Sequence, residues 1–333
     1  MGVTLSLDEA ERLATRALMK NRTSEANARL TALALVAAEV DGQDGHGLTR
    51  VPSYSEQARV GKVDGFAIPR ISGGGAVRRI DARTGFSYPA IEMALESLVP
   101  LARELGVASV GIFASHHCGQ AGRHVERLAE EGLVAFLYAN TPSAMAFHGG
   151  SRPRMGTDPL AFAAPIPGRA PLVIDMALSV VARGKIVSAK AKGEAIPENW
   201  AVDAAGNSTT DPDKALVGTL LPIGGAKGSA LALIVEILCG ALAGSNFGWE
   251  ASAFLDAKGS PPELGQFLIA LDPAHFAGDS FAPRMKALAT LMAADGARLP
   301  GDRRLERREA AARDGLVIAD ALYAQIKALA GED

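Results

Sequence analysis

Val107-Ala108-Ser109-Val110-Gly111-Ile112-Phe113-Ala114 runs directly into Ser115-His116-His117-Cys118-Gly119-Gln120-Ala121-Gly122. The first eight residues read as a strand. Residues 122–131 follow with helical spacing, and 133–140 form a second strand-like run. A strand, a helix and a strand in that order argue for a sheet covered by helices. The histidines fall between the first strand and the helix, and ligands in open α/β sheets sit at such strand ends.

Upstream, 77–80 reads as a short strand and 89–104 has helical periodicity. Gly61-Lys62-Val63-Asp64-Gly65 is a turn-rich break. Ser6 and Glu9 make a capping box, after which Leu13, Ala14, Ala17 and Leu18 share one helical face. A second helix starts at Ser24 and ends near Asp41-Gly42, so the chain is expected to begin all-helical. Downstream, strands are expected at 172–175 and 266–271. Helices are expected at 179–192, 228–244, 281–293 and, to close the chain, 316–329. The polar stretch 197–212 reads as a surface excursion.

At 333 residues the chain has room for two domains, and 48% hydrophobic with 21% charged residues fits a soluble globular protein. A net charge of -3 gives no reason to expect nucleic acid, which needs a strong basic surface. Arg303-Arg304-Leu305-Glu306-Arg307-Arg308 is too short and mixed a run to alter that. The two cysteines, Cys118 and Cys239, cannot build a disulfide framework, which points to a reduced compartment. Charges interrupt the first 18 residues, so no signal peptide is expected. Glu236 interrupts the apolar run 230–243, which is too short for a membrane span. A soluble, cytoplasmic protein with no membrane partner is the expectation.

Four constellations carry possible chemistry. In Asp44-Gly45-His46-Gly47-Leu48-Thr49-Arg50, a histidine between glycines suits an exposed proton donor, and Arg50 can clamp a carboxylate. The same residues also read as a helix C-terminus with a glycine cap. In 115–122, adjacent histidines project in different directions and no carboxylate pair follows, so no metal is expected. Cys118 reads as a packed thiol. Gly156-Thr157-Asp158-Pro159 and Asp175-Met176-Ala177 read equally as structural turns or caps. Pro300-Gly301-Asp302-Arg303-Arg304 is a late turn that meets a phosphate or simply faces water. The Gly-x-Gly-x-x-Gly fingerprint is absent; Gly73-Gly74-Gly75 and Gly225-Ala226-Lys227-Gly228-Ser229 do not supply it.

Several blocks in order resemble the malate/L-lactate dehydrogenase family, which includes sulfolactate and ureidoglycolate dehydrogenases and cyclic-imine reductases. They are Gly45-His46-Gly47 with Arg50, Ser115-His116-His117-Cys118-Gly119, Gly156-Thr157-Asp158-Pro159 and Val181-Ala182-Arg183-Gly184-Lys185. Ile196-Pro197 with Trp200, Thr210-Asp211-Pro212, Lys227-Gly228 and Pro300-Gly301 with Arg303-Arg304 complete the set. The resemblance implies an α/β, non-Rossmann NAD(P)-binding fold, with a central mixed sheet flanked by helices and helical ends. Residues 1–75 are then a helical segment packed with 290–333, and 76–289 the NAD(P)-binding α/β domain. It implies NAD or NADP as cofactor, a small acid as substrate and a homodimer with its active site near the subunit interface.

Carried over by position, His117 and His46 become acid–base groups, and Arg50, Thr157 and His116 substrate contacts. His117, Cys118, Gly119, Gln120, Ala121, Asn140, Asp175, Met176, Ala177, Lys185, Lys227, Gly301, Arg303 and Arg304 become cofactor contacts. Four positions depart from the pattern: Gly45 replaces a usual Ser, Asp158 an Asn and Ala226 a His, and Lys185 stands where imine reductases carry an Asp. Gly45 and Lys185 shift the expectation toward 2-hydroxy and 2-oxo acids, with cyclic 2-imino acids as the alternative substrate. A cofactor-binding homologue without activity is the reading from a different class.

Overall fold

Residues 107–140 supply the two strands that flank the central strand of a seven-stranded sheet in the computed structural model, which describes residues 2–332. In chain order come β1 (Gly2–Leu5), α1 (Leu7–Lys20), α2 (Glu25–Val40), α3 (Val51–Val60), β2 (Arg70–Gly74) and β3 (Val77–Asp81). Next are α4 (Ser87–Leu105), β4 (Val107–Ser115), α5 (Ala121–Glu130), β5 (Val134–Ala139), β6 (Leu160–Ile166) and β7 (Arg169–Met176). Then come α6 (Arg183–Lys192), β8 (Ala201–Val202), α7 (Pro212–Val217), β9 (Thr219–Leu220) and α8 (Ala226–Glu236). The chain closes with β10 (Leu264–Leu271), α9 (Phe281–Ala294), α10 (Asp302–Asp314), β11 (Leu316–Ala319) and α11 (Asp320–Ala330).

The sheet order is β2-β3-β4-β10-β5-β6-β7. Among these neighbours β3 and β4 run parallel and the rest antiparallel, so the sheet is mixed as expected. The strand between β4 and β5 is β10, whose Phe267 lies opposite both Gly111 and Tyr138. Helices α4 and α5 cover the sheet, and Leu98, Val110, Ile112, Val125, Leu137 and Leu268 meet in the main core. Full burial of each such side chain contributes about 1.5–3 kcal/mol.

A second core belongs to the helical body, where α1, α2, α3 and α11 enclose Leu18, Leu35, Tyr54 and Ile326. The predicted capping box is present: Glu9 N donates to Ser6 Oγ at 3.3 Å, and Ser6 N donates to the Glu9 carboxylate at 2.8 Å. The all-helical beginning is corrected, because β1 precedes α1 and pairs antiparallel with β11. The single closing helix over 316–329 is corrected with it. Leu316 and Ile318 point inward while Val317 is exposed, a two-residue period that only the partner strand makes useful. The apolar helix expected over 228–244 is α8 continued by a π-turn at Ile237–Leu242.

The late turn is also different. Gly301 starts α10, and the basic run 303–308 lies on that helix. Helical spacing turns Arg304 and Arg308 toward the protein and leaves Arg303 and Arg307 exposed. Among the described residues no helix is long and apolar enough to cross a membrane.

Candidate active site

The loop between β4 and α5 carries both predicted histidines. Ser87 Oγ donates to the His117 carbonyl at 2.6 Å, and Gln266 Nε2 donates to the His116 carbonyl at 3.0 Å. The backbone is therefore held from α4 and from β10. Gly119 has φ +68°, and a Cβ there would lie 2.6 Å from the Tyr88 hydroxyl, so this turn requires glycine.

The two side chains diverge. His116 is buried, with Nε2 3.0 Å from Gln57 Oε1 and its ring edge-on to Tyr54 and Phe86. It therefore lies in the wall behind the site. His117 turns the other way and meets His46, its Nε2 3.2 Å from His46 Nδ1. Its Nδ1 lies 2.6 Å from the hydroxyl of Tyr54, which is fully buried. Burial pushes the Tyr54 phenol up to about 12, so it keeps its proton and can donate it to Nδ1. The hydroxyl can equally accept from His117 Nδ1–H; His117 Nε2 then accepts from His46 Nδ1–H, and His46 Nε2 is free to accept a proton.

His46 reaches this position through a tight turn. Asp44–His46 is one turn of 3-10 helix, and Leu48 N donates to Glu39 Oε2 at 2.8 Å. A Cβ on Gly47 would come within 2.1 Å of that carboxylate, so the approach needs glycine. Burial, then the Arg50 charge, lowers His46 to about 4. Burial and the neighbouring His46 hold His117 well below the usual imidazole range. Both rings are neutral at neutral pH and can accept a proton.

Arg50 donates from Nε to the Gly45 carbonyl at 2.6 Å, which orients the guanidinium. Among the described residues its terminal Nη groups have no hydrogen-bond or ion-pair partner. The Phe254 ring stacks on His117 at 4.5 Å and 24°, and the Arg50 guanidinium carbon stands 5.9 Å from its centroid. Tyr54, Glu39, Gln57 and Phe254 escape sequence reasoning. Tyr54 alone carried a signal, lying one helical turn after Arg50.

The remaining predicted residues divide into packed and accessible groups. Cys118 is buried and its thiol is pushed up to about 12 by burial, as suits a packing residue. Ala121 is buried beside it, and Gln120 donates to Asp41 Oδ2 at 2.6 Å. Asp175 accepts from Gly122 N at 2.8 Å, so a protein carboxylate already meets the start of α5. Asn140 is saturated: it donates to Glu236 Oε2 and the Asn246 carbonyl and accepts from Gly265 N. Thr157 N donates to Thr141 Oγ1 at 2.8 Å. Arg304 is buried with Nη2 3.4 Å from Glu126, whereas Arg303, Lys185 and Lys227 are exposed.

The chain's features fit a nicotinamide dinucleotide. Gln120 Oε1 is a buried acceptor without a partner at the start of α5, and Met176 and Ala177 are half-buried at the end of β7. Helices α8 and α10 start at Gly225 and Gly301 with no side-chain cap; Lys227 lies in the first turn of α8, and Arg303 beside Asp302 in that of α10. A cation at a helix N-terminus opposes the macrodipole and is compensated by an anion bound there. Among the described residues no cluster of three or more His, Cys, Asp or Glu side chains is placed to hold a metal ion.

Asp158 is fully buried with φ +40°, and its Oδ1 accepts from Thr141 N at 3.2 Å. Burial, then the Glu236 charge, holds its carboxyl well above the usual range. The folded chain thus keeps a proton that the unfolded chain loses near pH ~4. The resulting stabilisation is complete below that pH and falls as pH rises through the folded value. Asp158→Asn keeps the acceptor oxygen and cannot ionise. Its Tm is expected to exceed that of the parent at about pH 8, with the gain vanishing at about pH 4. A pH-independent difference in thermal melts would reject this assignment.

A sequence profile described as malate/L-lactate dehydrogenase matches residues 5–327. The chain is 49% identical over 332 residues to a (2R)-3-sulfolactate dehydrogenase (NADP(+)) of Chromohalobacter salexigens, covering 99% of each. It is 40% identical to a Delta(1)-pyrroline-2-carboxylate/Delta(1)-piperideine-2-carboxylate reductase of Pseudomonas putida, covering 99% of this chain and 97% of that one. The crystal structure of delta1-piperideine-2-carboxylate reductase from Pseudomonas syringae superposes with a TM-score of 0.93 at 38% identity, over 98% of this chain and 99% of that chain.

Proposed function

Because the chain belongs to the malate/L-lactate dehydrogenase family and is an NAD(P)-dependent oxidoreductase, we propose that it interconverts a small 2-hydroxy acid and its 2-oxo acid at the Tyr54–His117–His46 line. That hydrogen-bonded line beside the free end of Arg50 is the observation that carries the reading. Arg50 Nη groups hold the carboxylate by paired charge-assisted hydrogen bonds. A neutral histidine of the pair takes the hydroxyl proton during oxidation and returns it during reduction. Tyr54 orients the His117 ring through Nδ1, and Phe254 covers one ring face. A bound nicotinamide would accept or supply the hydride. Of the cofactor candidates, Gln120, Met176, Ala177, Lys227 and Arg303 would hold the dinucleotide, with Asn140, Asp175 and Arg304 behind them.

NADP+ with (2R)-3-sulfolactate, and NADPH or NADH with a panel of 2-oxo acids, test the reading directly. Turnover is expected, and absence of both turnover and cofactor binding would sink it. The 40% identity to the Pseudomonas putida protein favours a second reading, reduction of a cyclic 2-imino acid. A higher kcat/KM with pyrroline-2-carboxylate than with every 2-oxo acid would select it. Arg50→Ala is expected to raise KM for acid substrates about 10- to 100-fold, from the loss of about 1.5–3 kcal/mol of charge-assisted hydrogen bonding. Unchanged kinetics would remove Arg50 from the site.

The division into helical ends, 1–75 with 290–333, around a cofactor-binding 76–289 belongs to this reading, supported by the separate cores of the two bodies. So does a homodimer. Leu231, Leu233, Ile234, Ile237 and Leu242 are exposed on α8 and its π-turn, apolar side chains of the kind a subunit interface covers. A cytoplasmic setting is supported by two free, buried cysteines.

A further inference from the structure

Lys62 lies in the turn after α3 and has no part in the reaction above. Its side chain is completely enclosed. An ammonium group has three N–H donors, and each needs a partner once it leaves water. Here the partners are carbonyls of one short loop: Ala253 O at 2.5 Å, Asp256 O at 3.1 Å and Lys258 O. The Asp256 carboxylate, 3.9 Å away, balances the charge. Gln57 adds a further tie by donating to the Phe254 carbonyl at 2.9 Å.

Three carbonyls converge on one cation only if residues 253–258 curl around it. In that loop Leu255, Asp256 and Lys258 face solvent, while Phe254 turns inward against His117 and beneath Arg50. We propose that Lys62 is a positioning residue that folds this loop into an aromatic wall, and that Phe254 on the wall fixes the plane of His117 and sets the size of substrate admitted. The favoured substrate is an acid whose substituent next to the reacting carbon is compact. A branched or aromatic substituent beside Arg50 meets the Phe254 ring. The inference rests on the assignment of His117 and Arg50 to the acid site.

The test uses Phe254→Ala, Lys62→Met and the double variant in the full-length protein. Each single change is expected to lower kcat/KM for a short 2-oxo acid by about tenfold or more, because misplacement of a reacting group by about 1 Å can lower rates a hundredfold. Each should also raise the relative use of a branched 2-oxo acid. The double variant should be no worse than the poorer single one within about twofold, since Lys62 acts through Phe254. An NMR titration of the His117 ring supplies a readout independent of turnover. In both single variants its midpoint should move up toward the ordinary imidazole value, with His46 and Tyr54 still bonded to the ring and Arg50 and His116 still nearby.

Additive losses in the double variant overturn the proposal. So does a Lys62→Met protein with the parent's kcat/KM and His117 titration, even if its Tm falls. If Lys62→Met does not fold, unchanged selectivity and titration in Phe254→Leu and Phe254→Ala overturn it equally. A parent enzyme that turns over no acid refutes the function instead, and the titration still decides the role of Lys62.

Discussion

Replacing His117 with alanine is expected to lower kcat about a hundred- to ten-thousand-fold, the usual contribution of a positioned acid–base group. Cofactor affinity should change only a few-fold. His117 sits at the middle of the line: Tyr54 on Nδ1 and His46 on Nε2 both lose their partner when the ring is removed. His46 alone keeps a half-buried ring near the substrate, which accounts for any residual rate. Steady-state kinetics with cofactor titrations by fluorescence separate the two effects. A loss below about tenfold, or a fall in affinity as large as the fall in rate, would remove His117 from the proton-transfer role.

Replacing Arg308 with alanine should have the largest effect on stability, about 3–5 kcal/mol, the usual consequence of leaving buried charges unpaired. Arg308 donates from Nε and Nη2 to Asp41 at 2.6 and 2.8 Å, and from Nη1 and Nη2 to Glu126 at 2.9 and 2.6 Å. The Asp41 and Glu126 side chains are 0% and 1% exposed; without Arg308, Asp41 loses its ion-pair partner, while Glu126 keeps Arg123 and Arg304. Burial pushes Glu126 up, but the hydrogen bonds and charge of Arg308, with Arg304 and Arg123 beside it, hold its carboxyl below the usual range. That contribution is present above the unfolded carboxylate value and is lost as pH falls through the folded one. The deficit in Arg308→Ala should therefore shrink in acid. Activity should fall too, because Asp41 also binds Gln120, linking the loops that carry His46 and His117. Urea unfolding measures the main effect. A change under about 0.5 kcal/mol is what a solvated surface charge gives, and would return the 303–308 run to that role.

Arg308 also marks where local reading stops. Its run was legible as dense charge, but which arginines point inward depends on a helix at 302–314 and on carboxylates from α2 and α5. His46, His117 and Arg50 could be named from glycine-flanked motifs because their chemistry is local. Tyr54 and Phe254 could not be named as partners of His117, since they lie 63 residues before it and 137 after it in sequence. That His116 and His117 project in different directions follows from their adjacency, but that His116 meets Gln57 while His117 meets His46 does not.

By itself the sequence determined the strand–helix–strand unit at 107–140, the capped first helices and the family, because each depends on residue types within a few positions of one another. The tertiary structure alone decided that β10 enters between β4 and β5, that β1 pairs with β11, and that His46 and His117 meet. Those are contacts between distant segments. They are selected by the total apolar surface buried and by whether every enclosed polar group finds a partner, quantities that no short stretch of the chain contains.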